Sequence, residues 1–393
     1  MKVPFNEPFF ATPLSNKGPD LLRTQGKYYQ GCKKIIRKKL GFTNVILTPS
    51  CTSALELIAL TLNIQAGDEV ILPSYTYVST ANAFALRGAK LIFVDTYSNH
   101  PSIDISKIEQ AITKKTKAIV VVHYGGMAID YQLLKKLKNK YHIPIVEDAA
   151  HCFGAKSIFK TSGTPGAKSI FKTSEAPGAK SGKEFIGSLG DFAAFSFHET
   201  KNISCGQGGA AIINNPEYVG RANIIAQCGT NKIDFINKKV SFYSWKSLGS
   251  NFLLAEPLCA ILLANLKLME KINKKRVALC KEYYDALFIL QKRGLIRLTP
   301  FDSNGNGHIF YILTKNLVER NNLIKHLKLK GIEATFHYYP LHLTDYYKKN
   351  FITKSLKNTE YISDRIVRLP LFYNLASHQL EHVIKSILNF YKK

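Results

Sequence analysis

The sequence predicts an α/β protein whose larger part is built on a mostly parallel β-sheet. Three observations support this prediction. Short apolar segments alternate with segments of helical periodicity through the first half of the chain, which is typical of βαβ units buried on both faces. The chain has 393 residues, more than one simple core needs, so two domains are expected. Hydrophobic residues make up 46% of it, enough for a sizeable core.

The elements of the first half follow from this alternation. A basic amphipathic helix is predicted at Cys32–Leu40, closed by Gly41. The predicted strands are Val45–Thr48, Glu69–Leu72, Leu91–Val94, Ala118–Val122 and Pro144–Asp148. The helices predicted between them are Ser53–Leu62, Thr80–Leu86, Ile103–Ile112 and Tyr131–Lys140. In such a sheet, ligands collect at the carboxyl ends of the strands.

The second half of the chain has a different pattern of predicted elements. A long helical stretch is predicted at Glu256–Leu290, followed by strands near Phe310–Leu313 and Thr335–Tyr338. A final helix is expected to end at Tyr391. We therefore predict a large domain at residues 1–255, including an N-terminal arm, and a smaller α+β domain at residues 256–393.

The composition and charge of the chain indicate which classes of function are compatible with it. The formal charge of +26 is compatible with a nucleic-acid-binding regulator, but the excess is mostly lysine spread along the chain, with neither a helix-turn-helix pattern nor clustered arginines. Seven cysteines without a C-x-x-C pair argue against a disulfide framework or a zinc site and favour a reducing cytoplasm. No apolar leader follows Met1, and the longest apolar segment, Leu253–Leu268, is too short to span a membrane.

A repeated segment interrupts the pattern. Gly154–Ser162 recurs nearly unchanged as Gly166–Ser174, and a truncated third copy begins at Gly178, with a period of twelve residues. Its Gly, Ser, Thr and Pro content predicts a loop. We favour a duplication that is tolerated because lengthening a surface loop costs little free energy. The alternative is a basic flap near the site.

The segment Ser196–Asn202 holds the first candidate catalytic residue. It follows the apolar run Phe192–Phe195 and leads into a glycine cluster ending at Gly209, which places Lys201 at the end of a predicted buried strand. An ammonium group there needs a partner or a chemical use. Desolvation lowers the pKa of a lysine and makes its amine a nucleophile able to form a Schiff base. The alternative is that Lys201 extends into solvent.

Two other strand ends carry candidate cofactor ligands. Asp148 ends the fifth predicted strand, where a carboxylate can cap a helix, bind a metal or keep a pyridinium nitrogen protonated, as pyridoxal phosphate requires. The turn after the first strand leads through Cys51 and Thr52, whose amides and hydroxyl can bind a phosphate at a helix start. An ordinary helix cap is the alternative for that turn.

Several aromatic and polar residues complete the candidate set. Tyr77 follows the second strand and can stack on a flat cofactor, although its position alone favours an aromatic of the core. Ser196 can add a hydroxyl to the phosphate. His337 and Tyr338 precede a proline that interrupts any helix aligning two histidines on a metal, so we expect substrate contact or packing there.

Long co-linear strings carry a resemblance to a known family. Val146–His151, Gly190–Asp191 and Phe195–Asn202 together resemble the DegT/StrS family of pyridoxal-phosphate-dependent sugar aminotransferases. Leu47–Thr52 and Pro73–Phe84, with Leu369–Leu375, look like the branch that aminates C4 of dTDP-4-dehydro-6-deoxyglucose. The similarity runs from about Pro4 to the C-terminus.

The resemblance implies a fold-type I aminotransferase with a mostly parallel seven-stranded sheet, working as a homodimer with shared active sites. By position, Lys201 would hold pyridoxal 5′-phosphate covalently and Asp148 would pair with its ring nitrogen. The other implied contacts are His151 beside the phenolic oxygen, Cys51, Thr52 and Ser196 at the phosphate, and Asn251 at the neighbouring subunit's phosphate. L-Glutamate would be the amino donor. A transaminase acting at C3 of the sugar is the main alternative.

Overall fold

The structure, a computed structural model, describes residues 24–158, 183–352 and 354–392. The expected N-terminal arm and residues 159–182 of the repeated segment lie outside these ranges, so what was predicted for them stays a prediction. Within the described ranges, no helix combines the length and the apolar character needed to cross a membrane.

The strands of the main sheet match the predicted segments closely. They are β1 (Val45–Thr48), β2 (Glu69–Pro73), β3 (Lys90–Val94), β4 (Thr116–Val122) and β5 (Ile145–Asp148), with β8 (Phe192–Ser196) and β9 (Gly209–Ile213) added. Between β5 and β8 lies a separate hairpin of β6 (Lys156–Ile158) and β7 (Lys183–Phe185). The C-terminal strands are β10 (Arg297–Leu298), β11 (Phe310–Leu313) and β12 (Ile366–Leu369).

The helices surround these strands. Those of the first half are α1 (Lys27–Leu40), α2 (Cys51–Thr61), α3 (Val78–Ala85), α4 (Ile105–Ile108), α5 (Tyr131–Tyr141), α6 (Val219–Ala226) and α7 (Lys232–Ile236). Those of the second half are α8 (Glu256–Lys267), α9 (Met269–Lys292), α10 (Leu317–Leu329), α11 (Asp345–Asn350), α12 (Lys357–Ser363) and α13 (Ser377–Phe390).

The main sheet has seven strands in the order β1-β9-β8-β5-β4-β2-β3, and only β9 runs against the others. This confirms the predicted fold class. β1 runs in the same direction as β2, as the predicted βαβ connection requires, but it lies at one edge of the sheet and its bonded neighbour is the antiparallel β9. Apolar periodicity marks a buried strand but does not specify its neighbour.

Alternate residues of the strands face opposite hydrophobic layers, as a two-residue period requires. Phe192 and Ala194 pack in the layer formed with α2, α3 and α6. Ala193 and Phe195 face the layer that includes α1 and α8. Because both faces of β8 are covered, the chain leaving its carboxyl end is held at a defined position above the sheet.

Four predicted elements differ from the structure by more than two residues. The first helix begins at Lys27 rather than Cys32, and the segment predicted as Ile103–Ile112 is the short α4 followed by a 3₁₀ turn. The long helical stretch is divided at Leu268 into α8 and α9. Thr335–Tyr338 is not a strand, since Thr335 alone forms a bridge, to Arg368. The ring of Tyr338 instead packs against those of His337, Tyr77 and Tyr124.

The C-terminal elements form their own core. Strands β10, β11 and β12 make an antiparallel sheet that packs against α9, α10 and α13. In contrast, α8 and the first turn of α9 pack into the layer around α1. The division between residues 255 and 256 stays a prediction.

Candidate active site

Lys201 lies on the loop that joins β8 to β9, five residues past the end of β8. The expectation of a strand-end lysine is therefore corrected: its N–H donates to the carbonyl of His198 at 2.9 Å, within a turn. Its side chain is partly buried. Burial lowers the pKa of Lys201, the negative charge of Asp148 opposes this shift, and the positive charge of Arg368 adds to it. The amine is consequently closer to its neutral, nucleophilic form than an exposed lysine.

Asp148 occupies the last position of β5 and is buried. Its Oδ2 accepts a hydrogen bond from the Thr80 hydroxyl at 2.6 Å, and its Oδ1 accepts one from the Ala150 N–H at 3.1 Å. Burial raises the pKa of Asp148, while these two hydrogen bonds and the charge of Lys201 oppose the shift. A buried carboxylate of this kind can accept a further hydrogen bond from a cationic donor, and a pyridinium N–H is such a donor.

The turn before α2 has the form of an anion-binding helix start. Ser50 caps the helix by accepting the Ser53 N–H at 3.0 Å, which leaves the first-turn amides of Cys51 and Thr52 without intrahelical acceptors. The Thr52 hydroxyl bonds to that of Ser79 at 2.8 Å. This turn therefore offers N–H groups and a hydroxyl to one ligand.

Gly209 fits this turn against the neighbouring strands. It pairs with Thr48 on one side and with Ser196 on the other, and a Cβ at this position would lie 2.5 Å from the Cys51 nitrogen. Only a glycine allows the Ser50–Cys51 peptide to approach the start of β9 so closely. Ser196, which accepts the His198 N–H at 3.3 Å, is thereby held beside the helix start. The glycine cluster noted in the sequence has this packing role.

A group of aromatic rings forms one wall of the site. The ring of Tyr338 lies 6.1 Å from that of Tyr77 and 5.2 Å from that of His337. The carbonyl of His337 accepts hydrogen bonds from the hydroxyls of Tyr75 and Tyr124. Tyr77, which precedes α3, is 58% exposed. The structure thus places the predicted residues Tyr77, His337 and Tyr338 together.

His151 is buried and held in one tautomer. The N–H of Gly125 donates to its Nδ1 at 3.2 Å, so the ring carries its proton on Nε2. Burial lowers the pKa of His151 well below its usual range, and the charge of Lys201 lowers it further. Its ring lies 4.5 Å from that of His308, at an angle of 36°. His151 is therefore a neutral donor beside the lysine.

A polar network around Asn202 was missed by the sequence reasoning. Asn202 donates to Asn273 at 3.0 Å and to the carbonyl of Asn306 at 2.7 Å, and it bonds to His308. Arg276 donates to the carbonyls of residues 307 and 308 at 3.0 and 2.9 Å. The only local signal was the position of Asn202 directly after Lys201, because its partners lie 71 to 106 residues away in the sequence.

Asn251 is the one predicted ligand that stands apart. It is exposed and forms a bridge with Gln227, at the end of a segment that begins near α7. Among the described residues, no group of His, Cys, Asp or Glu side chains is arranged to hold a metal ion. The seven cysteines all fall in described ranges and are free thiols.

The geometry can be compared with known proteins. The sequence profile of the DegT/DnrJ/EryC1/StrS aminotransferase family matches residues 19–388. Among solved structures, DesV of S. venezuelae is 28% identical, with 94% of this chain and 91% of that chain covered and a TM-score of 0.78. NtdA of Bacillus subtilis, with bound cofactor PMP, is 26% identical, with 96% and 80% covered and a TM-score of 0.81. PseC of Helicobacter pylori, an aminotransferase involved in pseudoaminic acid biosynthesis, is 24% identical, with 94% and 93% covered and a TM-score of 0.80.

Proposed function

The chain belongs to the DegT/DnrJ/EryC1/StrS aminotransferase family, and from this premise we propose that it moves the amino group of L-glutamate to C4 of dTDP-4-dehydro-6-deoxyglucose. The products are dTDP-4-amino-4,6-dideoxygalactose and 2-oxoglutarate, and the aminated sugar serves cell-surface polysaccharide synthesis. At the level of class, the chain is a nucleotide-sugar aminotransferase that depends on pyridoxal phosphate.

The observation that carries the proposal is the convergence of three groups at neighbouring strand ends. They are the amine of Lys201, the carboxylate of Asp148 and the helix start at Cys51, and both burial and the charge of Asp148 act on the Lys201 pKa. Each alone has an ordinary structural explanation. Together they supply an amine, a partner for a protonated ring nitrogen and a phosphate site, which is the set that pyridoxal phosphate needs.

The residues present suit pyridoxal phosphate, and each of them has a separate role. When bound, pyridoxal phosphate carries the amino group between the substrates and withdraws electrons from the carbon that loses its proton. Asp148 would hold the ring nitrogen in its protonated form, and the positive charge of that ring would oppose the rise in the Asp148 pKa that burial causes. Cys51, Thr52 and Ser196 would hold its phosphate, Tyr77 would contact its ring, and His151 would offer its Nε2 proton to its phenolic oxygen.

Lys201 has a second role as the group that moves protons. Its lowered pKa leaves more of the Nζ amine neutral at physiological pH, so Nζ can take a proton from the substrate carbon and return it. The rings of His337 and Tyr338 stack on each other at 5.2 Å, and we assign them to contact with the substrate.

The donor, the sugar and the position of amination are tested together. We expect incubation with L-glutamate and a panel of dTDP- and UDP-linked keto-sugars to give turnover with dTDP-4-dehydro-6-deoxyglucose. NMR of the product should then show nitrogen on C4. Nitrogen on C3, or turnover only with a UDP-linked sugar, would replace this assignment with the alternative sugar transaminase.

We also propose a homodimer in which Asn251 reaches the phosphate site of the neighbouring subunit. The support is an exposed apolar segment just before it, in which Phe242 is 71% and Trp245 is 74% exposed. Such a surface is unfavourable in water unless a partner covers it. If sites are shared, inactive Lys201→Ala and inactive Asn251→Ala chains should regain activity when mixed and refolded together. No recovery in verified hybrids would contradict shared sites.

A further inference from the structure

Ser74, His342 and Glu360 are joined by a chain of hydrogen bonds, and we call these three residues the polar triad. The Ser74 hydroxyl bonds to Nδ1 of His342 at 2.7 Å, and Nε2 of His342 bonds to Oε1 of Glu360 at 3.2 Å. Ser74 and His342 are buried, whereas Glu360 is partly exposed. The triad therefore joins the end of β2, the turn after Pro340 and α12, which are far apart in the sequence.

The partners of each group fix the positions of the protons in the triad. Ser74 Oγ accepts the backbone N–H of His342 at 3.0 Å, which leaves its own O–H to donate to Nδ1. Burial raises the pKa of Glu360, but hydrogen bonds from His342 and residues 355 and 356 outweigh burial and lower this pKa below its usual value. Burial lowers the pKa of His342, and the bond to Glu360 only partly opposes this shift. A neutral His342 therefore accepts from Ser74 on Nδ1 and donates to an ionised Glu360 from Nε2.

The order serine, histidine and carboxylate is that of a hydrolase triad, but the burial of Ser74 rules out a role as nucleophile. Ser74 has no exposed surface, and its oxygen is already held by the N–H of His342. A substrate cannot reach a hydroxyl that is enclosed in this way. The polar triad consequently acts by holding parts of the protein together, not by reacting.

On one side, the triad holds the turn that carries Tyr77. Ser74 directly follows β2, and its carbonyl accepts the N–H of Leu341 at 3.0 Å. The next residue, Tyr75, is buried and donates from its hydroxyl to the carbonyl of His337. Tyr77 comes two residues later. The path of the chain into Tyr77 is therefore set by bonds to the segment around residues 337–342.

On the other side, the triad holds the segment that carries Tyr338. Helix α12 bonds to this segment twice, through Glu360 to His342 and through the Ser363 hydroxyl to the carbonyl of Tyr338 at 3.2 Å. Glu360 and Ser363 are three residues apart and so lie on one face of the helix. The rings of Tyr77 and Tyr338 are 6.1 Å apart. Both rings are thus attached to the same triad from opposite ends.

We infer that the polar triad is a positioning unit that sets the spacing between Tyr77 and Tyr338, and with it the fit of the substrate against these rings. The inference rests on the proposed function, in which Tyr77 contacts the cofactor ring and Tyr338 contacts the substrate. Because the triad acts through the two rings and not on the reacting atoms, its loss should weaken substrate binding more than it slows the chemical step.

The test compares Ser74→Ala, His342→Asn and Glu360→Ala with the control His326→Asn. His326 is a partly buried histidine between α10 and α13, and its ring bonds to the carbonyl of Ser386 at 3.1 Å. It matches His342 in residue type but lies in the C-terminal core. Glu360→Ala changes a partly exposed side chain, so it keeps the test valid if a variant at a buried position does not fold.

Hydrogen exchange of the cofactor-free protein, measured by peptide mass spectrometry, reports the coupling without any substrate. We expect Glu360→Ala to speed exchange about 10-fold in residues 337–343 and also in residues 74–80, which are connected to Glu360 only through His342. Glu360→Gln keeps an acceptor for Nε2 and should restore most of the slow exchange. His326→Asn should leave both segments unchanged.

Kinetics of the enzyme loaded with cofactor give the second measurement. Each of the three triad variants should raise KM for the nucleotide sugar about 5- to 20-fold and change kcat by less than about threefold. The double variant Ser74→Ala with Glu360→Ala should have a KM close to that of the worse single variant, because either change alone breaks the unit. His326→Asn should keep the KM of the unmodified enzyme.

Three results would overturn the inference: unchanged exchange of residues 74–80 in Glu360→Ala, a KM equal to that of the unmodified enzyme in all triad variants, or effects of Ser74→Ala and Glu360→Ala that multiply in the double variant. The first would make the triad a local attachment of α12. The proposed function fails separately, if the unmodified enzyme aminates no keto-sugar. The exchange experiment decides the role of the triad in either case, since it needs neither cofactor nor substrate.

Discussion

Oδ1 of Asn202, the residue after Lys201, accepts a hydrogen bond from Nδ1 of His308 at 2.9 Å. This contact connects the lysine loop to the segment before β11, about a hundred residues later in the chain. Asn202 also holds Asn273 and the carbonyl of Asn306, so one side chain joins three parts of the protein beneath the reacting amine.

Asn202→Ala should therefore lower both stability and turnover. It leaves two buried acceptors without a donor, which costs about 1–3 kcal/mol each, and it loosens Lys201, for which we expect a fall in kcat of about 10- to 100-fold. Asn265→Ala is the control, because Asn265 bonds the same loop at the carbonyl of Ser204 but contacts none of these groups. Equal kcat losses in both variants would argue against positioning by Asn202.

Gly209→Ala should damage the phosphate turn. The added methyl group overlaps the Ser50–Cys51 peptide, and relieving that overlap costs about 1–3 kcal/mol and displaces the first-turn amides. We expect cofactor affinity, measured by fluorescence titration of the cofactor-free protein, to fall at least about tenfold.

Gly220→Ala is the corresponding control for a methyl group at a glycine. Gly220 lies in α6 with nothing within 4 Å of its Cβ position, so alanine should stabilise the helix by up to about 1 kcal/mol. Cofactor affinity should stay unchanged. If Gly209→Ala binds the cofactor as well as Gly220→Ala does, the close approach has no role in the site.

Glu147 should make stability depend on acid pH. This buried carboxylate accepts hydrogen bonds from His123, from the hydroxyl of Tyr131 and from the amides of residues 187, 189 and 190. Burial raises its pKa, but the hydrogen bonds outweigh burial and hold the pKa below its usual range. A carboxylate whose pKa is lower in the folded state than in the unfolded state stabilises the protein at pH values above the unfolded-state pKa. This stabilisation is lost as the pH falls through the folded-state pKa.

Glu147→Gln should consequently cost about 3 kcal/mol at neutral pH and flatten the acid limb of the stability curve. Both effects are measured by urea unfolding at a series of pH values, from neutral pH down to below the usual pKa of glutamate. Glu184→Gln is the control, since Glu184 is an exposed carboxylate on neighbouring β7. An acid limb that stays as steep in Glu147→Gln as in Glu184→Gln would show that this carboxylate does not govern it.

Deleting residues 154–177 should leave the fold and turnover unchanged. The deletion joins Phe153 to the third repeat copy, whose Gly-Ala-Lys-Ser is identical to Gly154–Ser157. The pairing of Lys156 with Phe185 and of Ser157 with Glu184 can then be rebuilt around a Gly-Lys turn, a sequence suited to a two-residue hairpin.

We expect the deletion variant to match the full chain in melting temperature, kcat and KM for the nucleotide sugar, each within about twofold for the kinetic constants. This outcome agrees with a neutral duplication. A large rise in that KM with unchanged stability would instead assign the repeats to substrate binding, as a flap over its diphosphate.

The sequence predicts those parts of the molecule that depend on local pattern. Val45–Thr48 and Phe310–Leu313 are strands at the predicted bounds because each is a short apolar run. The edge position of β1 beside the antiparallel β9 could not be predicted, since it depends on a strand that is distant in sequence. His308 and Arg368 were missed for the same reason: their partners Asn202 and His337 are distant in sequence.

The central claim is that Lys201, among many lysines, holds the cofactor. Borohydride reduction of the enzyme with pyridoxal phosphate, followed by digestion and peptide mass spectrometry, tests it most directly. The account predicts the pyridoxyl group on Nζ of Lys201, with no labelled peptide and no cofactor absorbance band in Lys201→Ala. Labelling of another lysine, or an unchanged spectrum in Lys201→Ala, would contradict it.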